Sequence, residues 1–400
     1  MSEGCLSGVK VLEHTQIVAG PYCSKVLADL GAEVIKIEKP GLGDDARRRA
    51  PFLNDIPHPE RSGLFLYLNT NKLGITLNPN TKTGREIFEE LVKEVDILIE
   101  DNPPQTIREQ RLDYNSLKEI NPKLIVVSIT PFGQTGPYRD YKAYPLNTFH
   151  AGGLGYLVPF GSTFPSRPPL KWGDYCGEYV CGLVAAVATL GALYAQQTDG
   201  VGQHIDVSKQ EALLSLLRVF AAYYPNQKRI ADRFSGLFGD SSFSQLFSET
   251  MCPEDSEAIV VAAFSHQIES LIKLTGGDAE DAKGEMSGDA FQLLPKWMSN
   301  RTKEEIYQQA QAARIPAAPI RNVEEVVNSE QFKARRFFRE IEHPEMGKVK
   351  IPTTPYHFSK TPWKIERPAP LLGQHNEDIY CRRLGHTKED MVKLREGGII

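Results

Sequence analysis

The stretch VLEHTQIVAGPYCSKVLADLGAEVIKIEKPGLGD, residues 11–44, decides the fold. A short apolar strand is predicted over residues 9–12, and a helix follows over residues 21–30, where Gly31 ends it. Residues 33–37, EVIKI, are predicted to be the next strand. Strand, helix and strand in this order form a βαβ unit, so we expect the two strands to lie parallel in one sheet.

The alternation of strands and helices continues beyond this unit. The predicted elements are a helix over 83–92 capped by Thr83, a strand over 95–99, a short helix over 116–120 and a strand over 124–129. This order is typical of an α/β protein whose parallel sheet is covered by helices on both faces. Ligands bind at the carboxyl ends of the strands in such sheets. The candidate binding loops follow Leu12, Ile37, Ile99 and Ile129.

A long helix rich in glycine and alanine is predicted over residues 178–197. Its small side chains allow a neighbouring backbone to approach closely, so we expect this helix to be central. A strand over 203–207 follows. The composition then changes over 232–256, which is rich in Ser, Phe, Gly and acidic residues, and this change places a domain boundary near Tyr224.

The composition of the 400 residues is that of a soluble globular protein, with 41% hydrophobic and 24% charged residues. This excludes a disordered or collagen-like chain. The net charge of −5 argues against a broad nucleic-acid surface, because phosphate binding requires a dense cationic face. The start resembles no signal peptide, and the apolar run 180–195 is shorter than the roughly 20 residues of a membrane span. We therefore expect a cytoplasmic protein without a membrane partner.

Several motifs that would indicate other functions are missing from the sequence. The turn after the first strand, HTQIVAGP at residues 14–21, contains no Gly-x-Gly-x-x-Gly, which disfavours a nicotinamide dehydrogenase. Neither His-x-x-x-His nor Gly-x-Ser-x-Gly occurs, so a metalloprotease and a serine hydrolase have little support. The six cysteines form no Cys-x-x-Cys pair. We expect reduced thiols and no bound metal.

Six stretches occur in one order over nearly the whole chain and together resemble the class III CoA-transferases. This family includes formyl-CoA:oxalate and carnitine CoA-transferases, benzylsuccinate CoA-transferases and 2-methylacyl-CoA racemases. The first stretch is the one quoted above. The others are NTNKLGITLN (69–78), FGQTGPY (132–138), GLVAAVATLGALYAQQTDGVGQHIDVSKQEALL (182–214), RTKEEIYQQAQAARIPAAPIRNVEEV (301–326) and APLLGQHNED (369–378).

The resemblance implies a Rossmann-like large domain assembled from both chain ends, residues 1–223 and 319–400, with a smaller α+β domain over 224–318. It also implies a dimer of interlocked subunits. The implied activity moves CoA from an acyl-CoA donor to a free carboxylic acid. In the family an Asp carboxylate attacks the thioester and forms an enzyme mixed anhydride.

The position of the family's nucleophile carries a different residue in this sequence. The family's D-Y-x-x-G-L-x-A aligns with EYVCGLVA at residues 178–185, so the nucleophile position is Glu178, and Asp174 is the competing carboxylate. Either the pocket is shaped for Glu, or the chain has lost catalysis. In the second case it is the non-catalytic subunit of a heteromer with a homologous chain. A homodimer and a heteromer both stay open.

The resemblance also implies residues that bind coenzyme A. Lys39 and Lys72 are expected on the CoA phosphates, and Arg108 lies near the usual Arg of the family. The family's adenine loop aligns with EDNPPQ at residues 100–105, which contains Asp101 and Asn102 but lacks the usual aromatic residue.

Two further residues are expected beside the acyl group, Val18 and Tyr144. Tyr144 occupies the position of the racemases' catalytic His, so the racemase alternative has little support. Oxalate-type members carry Gln at the position of Val18, which favours a larger or more apolar acyl group than oxalate. The loop SGLFGDSSFSQLFSETMCPEDSE, residues 235–257, matches the family least and is expected to determine substrate identity.

Overall fold

Six parallel strands form the sheet on which the candidate site is built. In the computed structural model, which describes residues 4–158, 168–230, 247–252, 257–263, 265–277 and 293–400, the sheet has the order β3-β2-β1-β4-β5-β6. The strands are β1 Lys10–His14, β2 Glu33–Glu38, β3 Lys72–Thr76, β4 Ile97–Glu100, β5 Ile125–Thr130 and β6 His204–Ser208. The α/β class and the parallel sheet are therefore confirmed. Strand β3 was not among the predicted elements.

Helices alternate with the strands of this sheet, and further helices belong to the rest of the chain. The α-helices of the first half are α1 Ala19–Asp29, α2 Gly63–Leu68, α3 Lys82–Lys93, α4 Pro104–Glu109, α5 Tyr114–Leu117, α6 Pro145–Ala151 and α7 Leu154–Leu157. Those that follow are α8 Cys176–Asp199, α9 Lys209–Leu214, α10 Arg218–Gln227, α11 Ile268–Thr275, α12 Leu294–Met298, α13 Lys303–Ala312, α14 Val323–Asn328, α15 Glu330–Ala334 and α16 Lys388–Glu396. A π-helix, Glu377–Arg383, precedes α16.

The chain divides into two units. One comprises Met1–Leu154, Lys171–Arg218 and Arg336–Ile400, and it contains the six-stranded sheet and the hairpin of β10 Phe338–His343 and β11 Gly347–Pro352. The predicted boundaries at 224 and 318 stay a proposal.

The second unit comprises Gly155–Leu170 and Val219–Arg335. Its three strands, β7 Phe247–Cys252, β8 Glu257–Ala262 and β9 Ala317–Pro319, form an antiparallel sheet, and a separate core around Ile259 and Met298 lies in this unit. Most of the predicted substrate loop 235–257 lies outside the described residues.

Helix α8 packs against α1 in the first unit, as its small residues predicted. Gly182 lies so close to α1 that an added Cβ would come within 2.4 Å of the carbonyl oxygen of Ala19. At 24 residues, α8 is long and apolar enough to cross a membrane. A helix that packs in the core of a globular protein passes the same test, and α8 buries Cys181, Ala185 and Leu193.

Candidate functional site

A cleft of about 650 Å³ opens at the carboxyl ends of the strands of the first unit. It lies where the strand order reverses, because β2 lies on one side of β1 and β4 lies on the other. Ligands of doubly wound sheets bind at this switch point. The loops that follow β1, β2 and β4 line the cleft, and the connection after β5 reaches it with Ala143 and Tyr144, so all four predicted binding loops meet there.

The loop after β1 is fixed by two carboxylates. The backbone N–H of Gln16 donates to Asp101 Oδ2 at 3.0 Å, and the N–H of Ile17 donates to Asp44 Oδ1 at 3.0 Å. Ile17 has a φ of 69°, a conformation that is costly for a β-branched side chain. The two hydrogen bonds hold the loop in this strained form at the edge of the cleft.

A buried ionic cluster lies beneath this loop. Glu13 pairs with Lys36 at 2.7 Å and with Lys72 at 2.8 Å, and Lys36 also pairs with Asp44 at 2.8 Å. Burial alone would raise the pKa of Glu13, but the two ammonium groups outweigh it and lower this pKa to about 2. The cluster therefore stays ionised at neutral pH and supports the loop from below.

The candidate nucleophile forms an ion pair inside the cleft. Glu178 lies in the first turn of α8, and its Oε2 accepts a hydrogen bond from Lys209 Nζ at 2.6 Å. Their side chains are 6% and 16% exposed. Burial disfavours the charged form of Lys209, but the carboxylates of Glu178 and Asp101 outweigh burial and raise its pKa. Lys209 therefore stays positively charged over the physiological pH range.

Two other titratable groups line the cleft. Burial raises the pKa of Asp101 to about 7, although Lys209 opposes this shift. Burial and the nearby Lys36 and Lys39 lower the pKa of His14 to about 4, so its imidazole is neutral at pH 7. The amide nitrogen of Asn102 lies 3.2 Å from His14 Nδ1 and fixes the ring against the β4 loop.

Five of the predicted residues line the cleft together. They are Lys39, Asp101, Asn102, Tyr144 and Glu178. The Lys39 side chain is exposed, and Tyr144, just before α6, is 75% exposed. Asp174 lies outside the cleft, on the exposed turn before α8, and it lines a small side cavity next to Glu178.

The other three predicted residues lie away from the cleft. Val18 is fully buried beneath the start of α1. Lys72 is also fully buried, where Glu13, the carbonyl of Pro21 and Asn69 accept hydrogen bonds from its ammonium. Arg108 pairs with Asp140 on the surface at 3.1 Å. These positions do not support the predicted contacts of Val18, Lys72 and Arg108 with CoA or its acyl group.

Sequence reasoning did not single out His14, Gln16 or Lys209, all of which line the cleft. A signal was present for each. His14 is the last residue of β1 and Gln16 lies in the following loop, while Lys209 directly follows β6. Each therefore lies at the carboxyl end of a strand, where ligands bind.

The fold and the cleft define a doubly wound α/β protein with a buried carboxylate, paired with a lysine, at its ligand-binding switch point. The model of "CoA-transferase family III" matches residues 6–376. This chain therefore belongs to that family.

Similar proteins cover the chain almost completely. It is similar to the succinyl-CoA–D-citramalate CoA-transferase of Chloroflexus aurantiacus, with 30% identity over 99% of this chain and 98% of that protein. It is also similar to the formyl-CoA:oxalate CoA-transferase of Streptomyces coelicolor, with 32% identity over 100% of both chains. The crystal structure of a CAIB/BAIF family protein from Brucella suis superposes with a TM-score of 0.80 and 30% identity, covering 96% of this chain and 100% of that one.

Proposed function

We propose that this chain transfers CoA from an acyl-CoA to a free carboxylic acid through a mixed anhydride on Glu178. The position of the Glu178 carboxylate in the cleft at the strand ends carries this proposal. Oε1 of Glu178 attacks the thioester carbonyl carbon, the C–S bond breaks, and CoA leaves as the thiolate. The thiolate attacks the Glu178 carbonyl carbon of the anhydride, which releases the donor acid as its carboxylate and leaves a Glu178 thioester with CoA. The acceptor carboxylate attacks this thioester, expels the thiolate and forms a new anhydride with Glu178. The thiolate finally attacks the acyl carbon of the acceptor, which gives the new acyl-CoA and restores the Glu178 carboxylate. No proton transfer is needed in the first step.

The placement of the two carboxylates favours Glu178 over Asp174. Glu178 is buried, belongs to the rigid first turn of α8 and lines the 650 Å³ cleft. Asp174 lies on an exposed turn with a φ of 49° and lines a side cavity of only about 10 Å³. A reacting carboxylate must be held in an accurate position, because a misplacement of about 1 Å can cost roughly 10²-fold in rate.

The residues of the cleft fit coenzyme A. A volume of about 650 Å³ lies within the range of small-molecule sites. Lys39 offers an exposed ammonium for a phosphate group, and Asn102 and Asp101 offer polar groups on the loop that the family uses for adenine. The proposed contacts with CoA do not include Lys72, Val18 and Arg108. The chain is proposed to act in the cytoplasm, with no metal.

The ion pair itself favours a second candidate function. Because Lys209 neutralises Glu178 at 2.6 Å, the carboxylate is a weaker nucleophile than an unpaired one. The chain would then bind acyl-CoA as the non-catalytic subunit of a heteromer, with a homologous chain that supplies the Asp.

Trapping of the anhydride distinguishes the two candidates. The purified chain is mixed with an acyl-CoA and hydroxylamine, and peptides are analysed by mass spectrometry. The proposal expects a hydroxamate at Glu178, its loss in Glu178→Gln, and its retention in the matched control Asp174→Asn. Binding of CoA without an adduct, and activity only after a second polypeptide is added, would support the non-catalytic subunit.

A further inference from the structure

We infer that Lys209 is a positioning residue that aims one oxygen of Glu178 at the thioester and compensates the charge as it moves to CoA. This inference rests on the proposed function. It follows from the contact between Lys209 Nζ and Glu178 Oε2 at 2.6 Å in the cleft. Because the two residues are 31 positions apart on different helices, this contact also fixes α8 against α9 at the site.

Both partners are held by rigid backbone. Glu178 belongs to the first turn of α8, and Lys209 is the first residue of α9, directly after β6. The side chain of Ser208 accepts a hydrogen bond from the N–H of Glu211 and so caps α9. The backbone of Lys209 is therefore held in place, and its side chain needs little reorganisation to keep its ammonium against the Glu178 carboxylate.

The pair leaves the two carboxylate oxygens of Glu178 unequal. Oε2 accepts from Lys209, whereas Oε1 makes no hydrogen bond to any of the residues that the structure describes. An oxygen that is not engaged is the better nucleophile, so Lys209 selects Oε1 for attack. The contact also restricts rotation of the Glu178 side chain. An Asp in this position would need such a restraint less, because its side chain is shorter.

The charges balance through the step. Before attack, the positive charge of Lys209 neutralises the Glu178 carboxylate. When Oε1 bonds to the acyl carbon and the C–S bond breaks, Glu178 becomes a neutral anhydride and the negative charge leaves on the thiolate sulfur. Lys209 keeps its proton, and its charge is then free to stabilise the thiolate or the incoming carboxylate.

Two further titratable groups, on the loop after β4 and on α8, lie near this pair. Asp101 on the loop after β4 faces Lys209, and Cys181 lies one turn further along α8. Burial raises the pKa of Cys181 to about 12, so this thiol stays neutral. Without Lys209, Glu178 would be a buried carboxylate without its ammonium partner, and burial disfavours the charged form of such a group.

The test compares Lys209→Met and Lys209→Arg with the wild type and with the matched control Lys82→Met. Lys82 forms an exposed pair with Glu86. We expect Lys209→Met to slow single-turnover labelling of Glu178 by hydroxylamine about 10²-fold, with little change in the KM for acyl-CoA. The acid limb of the pH–rate profile of Lys209→Met should move to higher pH. The double variant, in which Asp101→Asn is combined with Lys209→Met, should show the same move, so that titration of Asp101 is not its cause. Lys209→Arg should recover most of the rate.

Circular dichroism and thermal unfolding verify that each variant is folded. If Lys209→Met does not fold, the labelling rate and pH profile are measured on Lys209→Arg instead. If the wild type is labelled at Glu178 and the folded Lys209→Met is labelled equally fast with an unchanged pH profile, the inference is overturned while the proposed function stands. If the wild type is never labelled at Glu178, both fail.

Discussion

At the scale of single residues, the two predicted CoA lysines have opposite environments. Lys72 is fully buried against Glu13, whereas Lys39 is exposed at the cleft. Removing one partner of a buried pair leaves an uncompensated charge, so we expect Lys72→Met to lower the free energy of unfolding by about 3–5 kcal/mol. Lys39→Met should leave it unchanged and raise the KM for acyl-CoA roughly tenfold. Urea unfolding and steady-state kinetics measure these two effects.

The opposite pattern, a stable Lys72→Met enzyme with a raised KM, would restore the predicted phosphate contact of Lys72. It would also mean that Lys36 alone is enough to neutralise the buried carboxylate of Glu13.

Glu100 gives a prediction on the pH dependence of stability. Its side chain is almost fully buried, its Oε1 has no hydrogen-bond partner among the described residues, and burial raises its pKa to about 7. The ordinary Glu pKa is about 4.3, so the folded state binds the proton more tightly than the unfolded state. The stability that this group contributes is complete below about pH 4 and is lost as the pH rises towards 7.

The free energy of unfolding of Glu100→Gln should therefore increase relative to that of the wild type as the pH rises from 4 to 8, by roughly 2–4 kcal/mol. Urea titrations at several pH values measure the difference. Glu119→Gln, at an exposed position, is the control and should show no such trend. A constant difference between wild type and Glu100→Gln across this range would contradict the raised pKa.

At the scale of elements, the contact of α8 with α1 places Glu178. Gly182 is one turn after Glu178, and a Cβ there would lie 2.4 Å from the Ala19 carbonyl oxygen and 3.2 Å from Tyr22 Cβ. Gly182→Ala should push the helices apart, lower stability by about 1–3 kcal/mol and reduce the rate of acyl transfer. Thermal unfolding and kinetics measure both.

Gly191 on the same helix is the matched control. An added Cβ there meets nothing within 4 Å in this chain. Because Gly191 lies one turn after the exposed Val187 on α8, both glycine variants are compared in the Val187→Glu background, which is expected to remove contact with a second copy. Gly191→Ala should stabilise the protein by about 0.5–1 kcal/mol, because alanine favours the helix. Equal effects at Gly182 and Gly191 would show that helix propensity, and not packing against α1, decides the outcome.

Some of the strands could be predicted from the sequence, and others could not. Apolar runs bounded by turn residues predicted β2 and β5 closely, because both are buried on two faces. Strand β3, KLGIT, was missed because a glycine interrupts its few apolar residues. Lys72 is buried there only because Glu13, 59 positions earlier, neutralises it. The pairing of Glu178 with Lys209 is equally non-local, so no local pattern predicted it.

At the scale of the whole molecule, α8 presents an apolar stripe that is exposed among the residues the structure describes. Leu183, Val187 and Tyr194 lie on one face of this helix, and Val187 is 64% exposed. Contact with a second copy would remove this face from water, at about 25 cal/mol per Å² of apolar area. We propose that a second copy of this chain covers the stripe, so that two copies associate through the first unit of each.

Light scattering of the purified chain should therefore give the mass of two copies, and Val187→Glu should shift it towards one, because a charge would be buried in the interface. Val392→Glu changes another exposed valine, on α16, and is expected to keep the mass of two copies. A wild type that has the mass of one copy, and that assembles and becomes active only with a homologous chain, would replace the homodimer by the heteromer. An unchanged mass for Val187→Glu would instead place the interface on another surface, because a carboxylate at the centre of a buried apolar stripe could not be accommodated without loss of affinity.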